Sequence, residues 1–168
     1  AEGIEKIIKD VGLNVSSFKN QDKTYTTYVS IGIPTSKLKA EGDTAKFKCS
    51  IVIYDEKAQP LLQDSGSFSI PAKLLKIKDS WLPIYAAYNL TPGNKTVTVK
   101  VENLKNAAIL LPNHQVSAYK SLSDILLAEA EPEAGTVISR QQGIQRNGLI
   151  VKENPYSSFT KNDTIFAY

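Results

Sequence analysis

The amino-acid sequence predicts an all-β protein built as an antiparallel sandwich. Apolar and polar residues alternate with a period of two along several segments that begin at Leu13, and this period is typical of strands with one buried face. The segments are rich in β-branched and aromatic residues, which favour strands. Turn-forming residues separate them at intervals of about 8–12 residues, giving about seven or eight strands, the pattern of a two-layer sandwich.

A short N-terminal helix is predicted before the first strand, at residues 1–12. Its apolar residues recur at helical spacing and are Ile4, Ile7, Ile8 and Val11. Gly12 provides the stop that ends many helices. We expect the apolar stripe to pack on the chain's own sandwich, with binding to a partner as the alternative.

Two hairpins are predicted in the first half of the chain. Residues 13–19 and 24–33 form the first hairpin, and residues 45–54 and 60–70 form the second. In each case a short polar segment with turn chemistry lies between the two strands.

The second half of this region predicts a crossover and two further strand pairs. Residues 72–83 are expected to cross between sheets, and Trp81 within them is interpreted as a core residue in preference to a ligand platform. Thr91-Pro92-Gly93-Asn94 is the strongest hairpin signal in the chain and joins residues 84–90 to 95–103. Residues 105–111 and 116–119 are expected to pair around a turn at Pro112-Asn113-His114.

One register places seven apolar side chains of two predicted strands in the core. They are Phe47, Cys49, Ile51, Ile53, Val97, Val99 and Val101. Cys49 is the single cysteine, which excludes a disulfide within one chain and favours a buried thiol over a reactive one.

The domain boundary is predicted near residue 120. Residues 13–120 form the β-sandwich domain, and residues 121–168 form a β extension or the start of a second sandwich. Leu149-Ile150-Val151 and Ile165-Phe166 are too apolar for a solvated tail. We therefore expect the tail to add strands to a sheet of this chain or of a neighbouring molecule.

Composition excludes several classes of function. The 20 basic and 17 acidic residues are interleaved and give a net charge of +3, which argues against a nucleic-acid partner. No apolar run approaches the ~20 residues of a transmembrane helix. The chain begins with Ala1 and has no methionine, so we expect a processed start, which removal of a secretory signal would explain.

No constellation of residues predicts catalysis, a metal or a cofactor. His114 is the only histidine and is expected in an exposed turn, so neither a catalytic triad nor a zinc site is predicted. Asp43, Asp55 and Asp64 lack the spacing of a calcium loop. Acidic residues of turns and linkers, including Asp55, are expected to be solvated, and a hydrolase fragment with paired carboxylates is the remaining enzymatic alternative.

The sequence contains four Asn-x-Ser/Thr triplets, whose use depends on a glycosylating pathway. They begin at Asn14, Asn89, Asn94 and Asn162.

Several segments together resemble a known family. Leu13–Phe18, Tyr25–Pro34 and Lys46–Lys57 resemble the opening of the exported bacterial β-sandwich proteins named for a Gly-Trp-x-Thr-Asp motif, and of related regions in von Willebrand A-related bacterial proteins. Leu90–Val99 is similar to their hairpin. The tail segments are similar in order to the family's second sandwich opening and are Leu122–Ala128, Asn147–Pro155 and Asp163–Tyr168.

The resemblance implies an immunoglobulin-like fold and export to the periplasm or cell surface. The namesake motif is absent because no Gly-Trp pair occurs, and in relatives it lies beyond a second sandwich. The family provides no catalytic residues to carry over.

The predicted function is a non-enzymatic exported module for protein–protein contact or assembly at the bacterial envelope. Its partner would be another protein, or a second copy that pairs through edge strands. The alternative is a carbohydrate- or ligand-binding module that uses Trp81 with Tyr85 and Tyr88. An exposed aromatic row would favour that alternative, and a buried Trp81 would remove it.

Overall fold

A computed structural model describes most of the chain and confirms an all-β architecture. The described residues are 11–77, 80–102, 109–110, 114–117, 127–128, 133–134, 139–153, 155 and 166–167. Most of them lie in β-strands that pair antiparallel. No described helix is both long and apolar enough to cross a membrane.

The described strands are numbered in chain order. They are β1 (Gly12–Lys19), β2 (Tyr25–Pro34), β3 (Ala40–Glu41), β4 (Thr44–Tyr54), β5 (Pro60–Pro71), β6 (Trp81–Leu90), β7 (Asn94–Glu102), β8 (Ile109–Leu110), β9 (His114–Ser117), β10 (Leu127–Ala128), β11 (Glu133–Ala134), β12 (Ile144–Arg146), β13 (Leu149–Val151) and β14 (Phe166–Ala167). Two short 3-10 helices span Thr35–Lys37 and Ala72–Lys76.

The chain forms two compact units from interleaved segments. The described residues of the first unit fall within Ile33–Trp81 and Gly93–Ser117, and those of the second fall within Val11–Gly32, Leu82–Pro92 and Ala118–Tyr168. The boundary expected near residue 120 stays a prediction.

The first unit contains a six-stranded sheet centred on β4 and β7. Its order is β3-β4-β7-β8, while β5 pairs with β4 and β9 pairs with β7. The predicted hairpin of β4 and β5 is confirmed. Its turn is closed by the Asp55 side chain, whose Oδ1 accepts the backbone N–H groups of Lys57 and Gln59.

The core predicted for this sheet is confirmed. The register pairs Cys49 with Val101, Ile51 with Val99 and Ile53 with Val97. All seven side chains predicted to face inward are at most 4% exposed. The period of two fixed this face because a shift by one residue would expose every apolar side chain.

The predicted hairpin through Thr91-Pro92-Gly93-Asn94 is wrong. β6 belongs to a three-stranded sheet of order β1-β2-β6, whereas β7 lies in the six-stranded sheet. Gly93 has a φ of 128°, a conformation open to glycine that redirects the chain between sheets. The alternating pattern determines which face is buried but not which strand is the neighbour.

The prediction of a strand pair around Pro112-Asn113-His114 is also wrong. β8 pairs with Lys100 and Val101, and β9 continues along β7 from Val97 to Asn94. Both pair antiparallel with β7 and not with each other. Because proline has no N–H to donate, a proline between apolar segments of a sequence does not by itself indicate a reversal. His114 begins β9 and does not lie in a turn.

Two further expectations concern the ends of predicted elements. The helix expected at residues 1–12 lies mostly outside the described residues, but Gly12 begins β1 and pairs with Gly32. The predicted crossover is confirmed, since β5 and β6 belong to different sheets. β6 begins at Trp81, whose side chain is 36% exposed, so the interpretation of Trp81 as a core residue is wrong.

The second unit contains the sheet β1-β2-β6 and the described strands of the tail, residues 121–168. The predicted hairpin of β1 and β2 is confirmed. In the tail, β11-β13-β12 form one sheet, and β10 pairs with β14. The tail therefore adds strands within this chain. Asn147 and Gly148 join β12 to β13 with φ values of 51° and 75°, the left-handed pair that a tight hairpin turn requires.

We expect Cys49 in the native protein to react with a thiol reagent more than about 100-fold more slowly than in the unfolded chain. Its side chain is 4% exposed on the inward face of β4. Labelling with and without denaturant measures the ratio. As a control, Lys48→Cys in a Cys49→Ala background places a thiol on the exposed face and should react rapidly. Fast modification of native Cys49 would show that the faces are reversed.

Candidate binding cleft

The site begins with the polar face that β1 and β2 present together. Asn14 pairs directly with Ser30 in the antiparallel register, so their side chains lie side by side on one face. Further along the same face, the rings of Phe18 and Tyr28 meet edge to face with centroids 5.6 Å apart. One end of this face offers hydrogen-bond donors, and the other offers aromatic surface.

The donors of this face hold the carboxylate of Glu153. Its side chain is 1% exposed. Asn14 Nδ2 donates to Oε1, and Ser30 Oγ donates to Oε2 at 2.9 Å. A buried carboxylate is costly unless it is hydrogen-bonded, and bonds to a charged group contribute about 1.5–3 kcal/mol each. The clamp therefore anchors the chain at Glu153 to both strands.

Tyr85 on β6 connects this clamp to the opposite wall of the site. Its phenol O–H donates to the backbone carbonyl of Glu153 at 3.3 Å. Its backbone N–H donates to the carbonyl of Arg140 at 2.6 Å. Burial, together with the negative charge of Glu153, raises the pKa of Tyr85.

The segment 139–146 packs against these residues. Ile144 joins Phe18, Tyr28, Tyr85 and Val151 in one buried apolar cluster. The backbone carbonyl of Gln145 accepts the phenol O–H of Tyr28 at 3.3 Å. The guanidinium of Arg146 lies 4.2 Å from the Phe18 ring centroid, a cation–π distance.

A cleft of about 390 Å³ lies between β6 and this segment. β6 lines it with Tyr85, Ala86, Ala87 and Tyr88. Its other lining residues are Tyr28, Ser139, Arg140, Gly143, Ile144 and Gln145. This volume falls at the lower end of the range of about 300–1,000 Å³ for ligand pockets. Aromatic rings, small side chains and one arginine suit it to binding and provide no nucleophile with a base.

Two of the three aromatic residues expected in a ligand site line this cleft. Tyr85 and Tyr88 do so, whereas Trp81 is not a lining residue. Tyr28 is the additional tyrosine, and sequence reasoning did not single it out. No aromatic row of the expected composition forms.

The other candidates for chemistry lie elsewhere. Cys49 is buried in β4, and His114 is in β9. Asp55 serves its turn, Asp64 lies in β5, and Asp43 accepts the N–H of Ala72 with its backbone carbonyl. In the part of the chain that the structure describes, no three His, Cys, Asp or Glu residues group as metal ligands.

The buried clamp was missed because its residues carry misleading signals. Glu153 stands between Lys152 and Asn154-Pro155, a context typical of an exposed turn. Asn14 begins a glycosylation triplet, yet its side-chain amide is engaged by Glu153 in the folded protein. The turn at Asn147-Gly148, in contrast, was a readable signal, because Asn-Gly favours the hairpin that positions β12.

Comparisons with known proteins assign no family. No protein-family model matches the chain, and no curated protein matches it. The chain is similar to the X-ray structure of a target of the Northeast Structural Genomics Consortium, with a TM-score of 0.41 and 14% sequence identity. The similarity covers 67% of this chain and 88% of that chain.

We expect Gly143→Ala to destabilise the protein by about 2–4 kcal/mol, from overpacking and left-handed strain. Gly143 has a φ of 150°, and an added Cβ would lie 2.7 Å from Ile150 Cγ2 and 2.9 Å from the Val151 carbonyl oxygen. Gly148→Ala is the control, because its φ is 75° and nothing lies within 4 Å. Denaturant unfolding of both variants checks the difference, and equal losses would contradict the packing argument.

Tyr85 should make stability fall at alkaline pH. The pKa of Tyr85 is raised in the folded state. Its contribution to the free energy of unfolding is therefore fully present below the unfolded pKa of about 10. This contribution declines as pH rises above that value, by up to about 1.4 kcal/mol per pH unit. Tyr85→Phe should remove this decline.

The control for the Tyr85 effect is Glu153→Gln. It removes the nearby charge but leaves the phenol buried, so the Tyr85 pKa should fall only part of the way towards its ordinary value. Denaturant unfolding between pH 8 and pH 12, with phenolate absorbance, measures both effects. An unchanged alkaline slope in Tyr85→Phe would contradict the assignment.

Proposed function

We propose that this chain is a non-enzymatic module of an exported bacterial protein, and that it makes protein–protein contact at the cell envelope by strand addition. The contact lies in the cleft, along the outer edge of β6. The observation that carries the proposal is the bond from the Tyr85 N–H to the Arg140 carbonyl.

This bond identifies which backbone groups of β6 point outward. Arg140 is not part of β2, the strand that neighbours β6 in its sheet. The Tyr85 N–H therefore points away from β2, and because backbone groups alternate along a strand, those of Ala87 point the same way. Ala87 is exposed and lines the cleft. None of the described strands pairs with this edge, so it is a suitable template for an added strand.

The side chains beside this edge favour close approach. Ala86 and Ala87 are small, so an incoming backbone meets no bulky group there. Tyr88 follows them and offers an aromatic surface to a side chain of the added strand. Backbone bonds would supply affinity, and the flanking residues would supply specificity.

β5 is a longer edge strand but a poorer template. It begins at Pro60 and ends at Pro71, residues that lack a backbone N–H. Asp64 pairs with the buried Ile51 and so lies on the core face of the strand. An inward-facing charge is a device that blocks edge-to-edge pairing, and it distinguishes β5 from β6 better than the prolines do, because β6 also contains a proline, Pro83.

The immunoglobulin-like sandwich and export are part of the same proposal. The antiparallel pairing of the described strands and the alternation of buried residues along β4 and β7 support the sandwich. The resemblance to exported proteins named for the Gly-Trp-x-Thr-Asp motif supports export. Cell fractionation with protease protection tests the location, and a cytosolic pool alone would contradict it.

A carbohydrate- or ligand-binding module is the second candidate, favoured by the three tyrosines. Tyr28, Tyr85 and Tyr88 line the same cleft, and aromatic rings with polar tips suit sugars as well as peptides. Binding of a soluble glycan, without binding of any peptide, would favour this candidate.

Removing the Ala87 N–H should weaken peptide binding at least tenfold. The probe is a library of acetylated and amidated heptapeptides, measured by fluorescence polarisation. Ala87→Pro removes the outward donor and places a ring at the edge, and loss of one backbone bond alone corresponds to about tenfold in affinity. Ala87→Thr keeps the N–H and should bind with little change.

The fold of both Ala87 variants is checked by circular dichroism and thermal unfolding. A peptide whose backbone is N-methylated at the pairing position gives a second test that leaves the protein unchanged. The proposal is overturned if no library peptide binds, or if binding is insensitive both to Ala87→Pro and to N-methylation.

A further inference from the structure

We propose that Asn147 is a site of spontaneous covalent modification, at which its side-chain amide is lost through a cyclic imide formed with Gly148. These two residues form the tight turn that joins β12 to β13, with φ values of 51° and 75°. The modification does not depend on strand addition at β6. Three properties of the turn support it: its sequence, its exposure, and the lack of hydrogen bonds to the reacting groups within the described part of the chain.

The modification takes place in two steps. In the first step the backbone nitrogen of Gly148 attacks Cγ of Asn147, and the new N–C bond closes an imide ring. The C–N bond of the side-chain amide breaks, and ammonia leaves with the proton that the Gly148 nitrogen gives up. In the second step water opens the ring at either carbonyl. Opening at Cγ gives aspartate, and opening at the main-chain carbonyl carbon gives isoaspartate, whose main chain passes through Cβ and Cγ.

The residue after Asn147 is the one that hinders this attack least. Glycine has no Cβ to crowd the attacking nitrogen, and its backbone adopts conformations that other residues rarely reach. Asn147 is the only asparagine of the sequence that a glycine follows. Around Gly148 the structure is open, because no atom beyond the neighbouring residues lies within 4 Å of the position that a Cβ would take. The ring therefore closes with less steric resistance than where a larger residue follows.

The reacting groups are also exposed and unrestrained. Asn147 and Gly148 are both exposed, so water reaches the turn. Strand pairing between β12 and β13 ends with Arg146 and Leu149, and the turn lies beyond this last pair. Among the residues that the structure describes, no hydrogen bond engages the Asn147 side chain or the Gly148 N–H.

Other described asparagines lack one of these properties. The side-chain amides of Asn14 and Asn20 donate hydrogen bonds, which restrain them. Asn94 is exposed, as Asn147 is, but it is followed by Lys95. Asn94 is therefore the internal reference for a site with similar exposure and a larger following residue.

The two products should affect the hairpin differently. Asp-Gly suits the same two-residue turn as Asn-Gly, so the aspartate form should keep the pairing of Arg146 with Leu149. Isoaspartate adds an atom to the main chain, and because loop length fixes the register of a hairpin, the pairing should be disturbed. The effect reaches the cleft, since Ile144 on β12 belongs both to its lining and to the buried apolar cluster.

The test is storage of the folded full chain at neutral pH, followed by mass spectrometry of the peptide that contains Asn147. We expect its conversion to acid to be at least about tenfold faster than that of Asn94, which corresponds to a barrier lower by about 1.4 kcal/mol. Gly148→Ala adds a Cβ and should slow the conversion. Gly42→Ala is the matched control, because Gly42 also has a positive φ and open surroundings but lies in another turn, and it should leave the rate unchanged.

A second experiment measures the consequence for stability. Asn147→Asp represents the aspartate product and should unfold at nearly the denaturant concentration of the original chain. The isoaspartate form, separated by ion-exchange chromatography and identified by enzymatic methylation, should unfold at a lower concentration.

Conversion at Asn147 that is no faster than at Asn94 would overturn the proposal, as would a rate that Gly148→Ala leaves unchanged. Equal stability of the isoaspartate form and of Asn147→Asp would overturn the stated effect on the hairpin. None of these measurements uses peptide binding, so their results are independent of the proposed function.

Discussion

The buried carboxylate of Glu153 is the interaction on which the second unit depends. Its two oxygens accept hydrogen bonds from Asn14 and Ser30, which are cross-strand neighbours in β1 and β2. Loss of either donor would leave a charge partly uncompensated in a site that is 1% exposed, a cost of several kcal/mol in a protein whose net stability is about 5–15 kcal/mol. The carboxylate therefore determines where the chain near residue 153 can lie.

The position of Glu153 in turn determines the position of the cleft wall, because a short stretch of chain and one hydrogen bond connect them. β13 ends two residues before Glu153, and its hairpin partner β12 carries Ile144 into the apolar cluster. At Gly143 the backbone lies so close to Ile150 and Val151 that an added Cβ would clash with them. The next link is the Arg140 carbonyl on the Tyr85 N–H. A polar clamp on one face of the sheet thus places the wall that faces the edge of β6.

The sequence predicted strands and buried faces well, and it predicted the neighbouring strands of two hairpins, β1 with β2 and β4 with β5, but not those of β6 to β9. The alternation in β4 and β7 is a local property, and it fixed seven inward side chains correctly. Which sheet a strand joins is decided by contacts distant in the chain, and this is why Thr91-Pro92-Gly93-Asn94 indicated a hairpin where the chain changes sheets. Polar residues of β1 and β2 were also hard to place, since Ser17 and Thr27 are buried and hydrogen-bond each other at 2.9 Å. In a sequence, serine and threonine indicate a solvated face unless their hydrogen-bond partner is known.

The two edge strands illustrate why the proposed function was less predictable from the sequence than the fold. β5 has the composition of an accessible edge, yet Asp64 faces inward opposite Ile51 and discourages pairing. β6 reads as an interior strand from Ile84 to Ala86, yet it ends the order β1-β2-β6. The backbone bond from Tyr85 to Arg140, 55 positions later in the chain, indicates which of its backbone groups face away from β2. No local pattern encodes that bond. The proposed strand addition requires one accessible edge while other edges are protected, and β6 and β5 differ in this respect.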